Sequence, residues 1–294
     1  MILRSLIASL TITLLASCVN SGAGAGAVVN PSFPISEPAA RDVIRNIARQ
    51  HRPLPRPLVI IGGFRDPGIA APILKHEFAK WTGSGDRIVT VSLAMTFSFD
   101  QCRQRIIDAV DQAFPSDDPR QTIEVDVIGF SMGGLAARYA ASDVPPEQGE
   151  PATRRLRIAR LFTISSPLRG AAVAAELPLT LHPLQPPMRP GSRFLRAIDA
   201  APVRPDELYQ IFSYVRLGDP YIREANSAIN RETAWWVSTP PLSPPHEMAF
   251  QDGRILADIL CRLLGEPPLT SDPPTPLPNP QQAAAAAAHV PNLE

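Results

Sequence analysis

The sequence predicts an α/β domain, a mostly parallel sheet of about six strands with helices on both faces. Short, wholly apolar runs recur along the chain, such as Leu58–Ile61, which stops at Gly62-Gly63. Strands buried on both faces read this way. Helical stretches with an apolar stripe separate successive runs, the rhythm of strand, crossover helix and parallel strand. A chain of 294 residues, 45% apolar and only 19% charged, can also bury one sizeable core. Its 28 basic residues balance its 28 acidic ones, so no global field is offered to nucleic acid.

Residues 1–17 carry one cation, Arg4, then the apolar run Leu6–Leu15 and small residues, and are expected to be an export signal. The run is too short to anchor stably in a bilayer core of about 30 Å. Leu15-Ala16-Ser17-Cys18 resembles the bacterial lipobox. That resemblance implies a lipidated Cys18 and a protein anchored in the bacterial cell envelope, on the periplasmic face or the cell surface. Residues 18–35, rich in glycine and alanine over Gly22–Ala27, read as a flexible tether, with the domain proper over 36–265.

Within the domain, Ser36 with Pro38 behind it opens a helix whose stripe is Val43, Ile44 and Ile47. Leu58–Ile61 is the first strand and Ile88–Leu93 the second, with a helix carrying Ile73, Leu74, Phe78 and Trp81 between them. A helix with Cys102, Ile106, Ile107, Val110 and Phe114 follows. Strands at 123–128, 158–164, 211–217 and 235–237, a helix over 133–141 and a last helix over 252–264 complete the series. Many of the 34 prolines cluster at 31–57, 178–205, 240–245 and 267–280, where they mark edges, loops and a tail. Residues 266–294, with the run Ala283–Ala288, have little to bury and are expected to be a disordered tail. Cys102 and Cys261 fall on helices expected on opposite faces of the sheet and so read as two unpaired thiols. Neither has zinc-like spacing to a second cysteine or a histidine, so no metal is implied.

One motif carries chemistry. Gly129-Phe130-Ser131-Met132-Gly133 follows the strand TIEVDVI and opens the helix GLAARYAA, which is G-x-S-x-G in the context that makes Ser131 a candidate nucleophile. Glycines two before and two after let neighbouring backbone approach a sharp strand-to-helix turn. The helix start aims backbone N–H groups at charge developing there.

A serine needs a base. Of five histidines, His51 precedes the sheet, His76 lies on the first crossover and His289 in the tail, leaving His182 and His246. His246 follows the short strand at 235–237 through a proline-bounded loop, the place expected for a base over the sheet's carboxyl edge; His182, in a proline-rich excursion, is the weaker candidate. Asp219, between Gly218 and Pro220 after the strand at 211–217, is the candidate acid that orients the imidazole. Glu224 is held in reserve, and Asp252 reads as the cap of the last helix. For an oxyanion, the backbone N–H of Met132 and one from the loop Gly62-Gly63-Phe64, taken as Phe64, are the candidate donors.

The strings VIIGGFRDPG, VDVIGFSMGG, LFTISSPLRGA, VRLGDPYI and SPPHEMAFQDGRILADIL, in this order, make the chain similar to the α/β-hydrolase fold family and its lipase-like serine esterases, over roughly residues 57–265. The resemblance implies cleavage of carboxylic esters or acyl lipids through an acyl-serine, with no metal or organic cofactor. Leu168 stands where a T-P-H-x-G string of such lipases has histidine, Gly62 where a histidine often precedes the oxyanion glycine, and the usual first antiparallel hairpin is missing before Leu58. Residues 176–205 could be a lid, an acyl-binding wall or a plain crossover with a helix over 194–200. Acyl transfer to an alcohol or amine is the alternative chemistry, thioesters and amides also fit, and a silent envelope-binding module is the alternative of another class.

Overall fold

The computed structural model describes residues 29–146, 154–177, 180–202, 207–229 and 232–278. The expected signal segment and Cys18 lie outside these residues. Ser36 caps the first helix, α1 (Glu37–Ala48), its hydroxyl accepting from the Ala39 N–H, with a proline in the first turn. The chain then runs through β1 (Leu58–Ile61), α2 (Ala70–Thr82), β2 (Ile88–Val91), α3 (Phe99–Ala113), β3 (Gln121–Phe130), α4 (Met132–Ala141) and β4 (Arg155–Ile164). After β4 come two short helices, α5 (Ala172–Glu176) and α6 (Arg193–Ala200). The strands β5 (Gln210–Arg216) and β6 (Trp235–Val237) and the helix α7 (Gly253–Leu264) follow.

The six strands form one sheet in the order β2-β1-β3-β4-β5-β6, and every neighbouring pair is parallel. The order doubles back at β1/β3, so the carboxyl edge between these central strands is where a site is expected. Side chains alternate across the sheet. Leu58 and Ile60 join a core with residues of α1, α2 and α7, whereas Val59 and Ile61 join one with residues of α3, α4 and α6. Cys261 lies in the first core and Cys102 in the second, both buried and free.

Two boundaries differ from expectation. Asn30, Ser32 and Phe33 of the expected tether are buried in the domain, where Asn30 Nδ2 donates to the Trp236 carbonyl at 2.8 Å. Beyond residue 265, Thr270 is buried, the indoles of Trp235 and Trp236 donate to the carbonyls of Ser271 and Thr275, and Ser271 N–H donates to Ser32 O. The reason is the short edge strand β6: its buried indoles need acceptors, which the segment at Ser271 and Thr275 supplies, and the Trp236 carbonyl takes a donor from Asn30. Among the described residues no helix is long and apolar enough to cross a membrane.

Candidate active site

At the end of β3 the chain turns directly into α4 through Ser131, which sits at φ 52°, ψ −128°. That left-handed conformation is strained for a residue with a side chain. It is held because the turn has no room to relax. A Cβ on Gly129 would lie 2.4 Å from Gly134 Cα, and one on Gly133 would lie 2.5 Å from Ile61 O. The Ser131 N–H donates to Ile164 O at 2.9 Å, and Ser166 Oγ donates to Gly129 O at 3.2 Å, so β4 braces the turn from one side.

Every other strand also runs into a non-glycine residue of positive φ: Arg65, Met95, Ser165, Arg223 and Leu242 follow β1, β2, β4, β5 and β6. Backbone strain is thus collected along the sheet's carboxyl edge, where functional loops store it.

Three groups far apart in sequence meet there. His246 Nε2 lies 3.0 Å from Ser131 Oγ, and His246 Nδ1 lies 2.7 Å from Asp219 Oδ2. With Asp219 ionised, Nδ1 carries the proton toward the carboxylate and Nε2 is the acceptor facing the serine. Asp219 is buried, and its other oxygen, Oδ1, accepts the N–H groups of Tyr221 and Ile222 at 3.0 Å each. The carboxylate therefore presents one oxygen to the imidazole. Phe130 and Tyr221 flank the imidazole with ring centroids 5.4 and 5.1 Å away.

The loop that carries His246 is fixed at both ends. Arg216, the last residue of β5, donates to Ser243 Oγ and to Asp252 Oδ2, each at 2.8 Å, and Arg254 also pairs with Asp252. Asp252 caps α7 through the Arg254 N–H. Burial alone would raise the Asp252 pKa; its hydrogen bond to Arg254 and the charges of Arg254 and Arg216 outweigh burial and hold it below the usual carboxylate value.

The loop after β1 passes close to the serine, since a Cβ on Gly63 would meet Ser131 Cβ at 3.1 Å. Phe64 comes next. Asp66 organises this loop: its carboxylate accepts the N–H groups of Gly68, Ile69 and Ala70, and its own N–H donates to Gly63 O. Asp66 escaped the reading of the sequence, although an aspartate a few residues before a helix is a recognisable cap signal. Ser166 had no such signal, because its bond to Gly129 depends on β3 and β4 lying side by side. Met132 is buried in the first turn of α4, whose leading N–H groups have no partner within the helix.

The remaining candidates lie elsewhere. Glu224 accepts from the Gly218 N–H and shapes the turn before Asp219. His182 packs against Phe64 and Phe97, with centroids at 4.9 and 5.4 Å. Leu168 is buried. The described part of 176–205 is tied to the segment after β4: Ala171 N–H donates to Met188 O at 2.8 Å and Arg189 Nε to Ala174 O at 3.0 Å, with the expected helix present as α6. Among the described residues no group of three or more His, Cys, Asp or Glu side chains could hold a metal ion.

No family model matches the chain, and no curated protein matches it. Solved structures do. The phospholipase PlaB from Legionella pneumophila is similar with TM-score 0.50 at 11% identity, over 79% of this chain and 62% of that one. The mature form of the Bacillus licheniformis lipase BlEst2 is similar with TM-score 0.49 at 12% identity, over 72% of this chain and 94% of that one. At such identities the likeness speaks for the fold alone: the chain has an α/β-hydrolase-like fold, a six-stranded parallel sheet with helices on both faces.

Proposed function

We propose that the protein is a serine hydrolase that cleaves carboxylic esters through an acyl-serine intermediate. The observation that carries this reading is the hydrogen-bonded line Ser131, His246, Asp219 at 3.0 and 2.7 Å, set on a strained turn at the sheet's carboxyl edge. In this reading Ser131 Oγ attacks the ester carbonyl carbon while His246 Nε2 takes the hydroxyl proton, and Asp219 stabilises the imidazolium. The N–H groups of Met132 and Phe64 receive the oxyanion. Collapse of the tetrahedral adduct expels the alcohol with the proton from Nε2. A water deprotonated by His246 then attacks the acyl-serine, releasing the carboxylic acid and returning the proton to Ser131.

An apolar acyl group suits the surroundings. Met95, Phe97, Leu181, Tyr221 and Leu242 are exposed on loops that follow β2, β4, β5 and β6, so these carboxyl-edge loops offer apolar side chains to an acyl group, beside charges such as Arg65 and Glu247. Ester or acyl-lipid substrates are therefore proposed, with the protein held at the bacterial envelope through Cys18.

The test is labelling by a fluorophosphonate probe together with turnover of p-nitrophenyl esters of increasing chain length, with and without an alcohol acceptor. Wild type is expected to label and to hydrolyse. Ser131→Ala is expected not to label and to lose on the order of 10⁴-fold or more in kcat, as is His246→Ala in turnover. A folded wild type that neither labels nor hydrolyses would favour a binding module, and ester product appearing only with the alcohol would favour transfer.

A further inference from the structure

Phe64 follows Gly63, whose carbonyl accepts the Asp66 N–H, and precedes Arg65 at φ 54°. Its ring packs on the core shared by α3, α4 and α6, and on its other contact it meets His182. The imidazole meets Phe64 edge-on, with an interplanar angle of 81°, and stacks on Phe97 at 17°. Edge-on and offset-stacked contacts are the favourable ones for such rings.

His182 is itself well placed to act as a peg. Its Nδ1 accepts the Leu184 N–H at 3.3 Å, and its carbonyl accepts the Gln185 N–H at 2.9 Å. Leu181 N–H donates in turn to Gln185 Oε1 at 3.0 Å. A turn closed on itself carries the ring, and Met188 and Arg189 fasten the following residues to the segment after β4. Burial and the nearby Arg65 cation both lower the His182 pKa, so the ring that stacks at neutral pH is uncharged. Phe97 and Pro183 also line a cavity of about 500 Å³ with Phe99, Tyr139 and Phe194.

We propose that His182 is a positioning residue for the oxyanion loop, a peg between Phe64 and Phe97 that fixes the Phe64 backbone N–H relative to Ser131. The inference rests on the acyl-serine reading of Ser131. It gives the segment after β4 a part in the chemical step, and it gives His182 a task other than proton transfer. A displaced donor weakens the bond made in the tetrahedral state and leaves ground-state binding largely untouched, so the loss falls on kcat.

The experiment compares wild type with His182→Ala and His182→Phe on p-nitrophenyl acetate and butyrate. It also measures inhibition by an alkyl boronic acid that forms a tetrahedral adduct on serine, and the melting temperature. His182→Ala is expected to lose about 10-fold in kcat with KM within about twofold of wild type. It is expected to bind the boronic acid correspondingly more weakly, while His182→Phe, which restores the ring contacts, recovers most of both. Unchanged kcat in His182→Ala would overturn the proposal, as would a failure of His182→Phe to recover activity at wild-type melting temperature. If the kcat loss is matched by a rise in KM and a lowered melting temperature in both variants, His182 is structural and the proposal also falls. A wild type that neither hydrolyses the esters nor labels with fluorophosphonate would overturn the acyl-serine reading and this one with it. An active wild type, a loss in His182→Ala and its recovery in His182→Phe would leave both standing.

Discussion

Arg216 Nε donates to Asp252 Oδ2 at 2.8 Å with both side chains buried, and between their neighbours Ser243 and Gly253 hangs the loop that carries His246. The imidazole is thus placed by an ion pair that makes no contact with the serine.

That pair makes stability depend on pH in a definite direction. The Asp252 carboxyl is held below its ordinary value of 3.8 because Arg254 and Arg216 outweigh the effect of burial. A depressed carboxylate stabilises the folded state above the unfolded pKa, and the gain is lost as pH falls through the folded value. Removing one partner of a buried pair costs about 3–5 kcal/mol. Asp252→Asn is therefore expected to lower stability by that order at pH 7 in urea unfolding, with the gap to wild type narrowing below about pH 4. A gap that stays constant down to pH 2 would show that charge is not its source.

The two helix thiols should be inert. Burial pushes Cys102 and Cys261 up to about 11. At pH 8 only about one thiol in a thousand would be ionised on that basis. In a Cys18→Ser protein, a chromogenic disulfide reagent is expected to leave both cysteines unmodified in the native state and to titrate both in guanidinium. Rapid reaction of either one with the folded protein would contradict this.

Cys18→Ser also tests the proposed anchor. Membrane-fractionated cells are expected to show the wild type in the membrane pellet and labelled by radioactive palmitate, and the variant unlabelled and released. An unlabelled wild type, or a variant that stays in the pellet, would remove lipidation of Cys18 from consideration.

The strand and helix series was legible because it rests on local periodicity: the four residues Leu58–Ile61 and the stripe of α1 need no knowledge of the rest of the chain. Ser131, His246 and Asp219 were legible for a different reason, since Ser131 and Asp219 stand just beyond strand ends and His246 on the loop after β6, and parallel pairing carries those ends to one edge. The role of Asp66 in the loop after β1 and that of Ser166 beside the turn were not, because hydrogen bonds to backbone leave no periodic trace. His182 lay in a proline-rich stretch whose course is decided by what it leans on. The same holds for Asn30 and Ser271, polar residues that look like linker until the tryptophans of β6 give them a place.

The last of these contacts reaches beyond the catalytic question. An unpaired outer strand is a template on which a foreign chain can add itself. Here β6 is only three residues long, and segments around Asn30 and around Thr275 dock beside it. A variant trimmed to end before Leu269 would bare two indoles and an adhesive margin at once. Its defect would surface as clumping of otherwise folded molecules, with the chemistry at the sheet's carboxyl edge still intact.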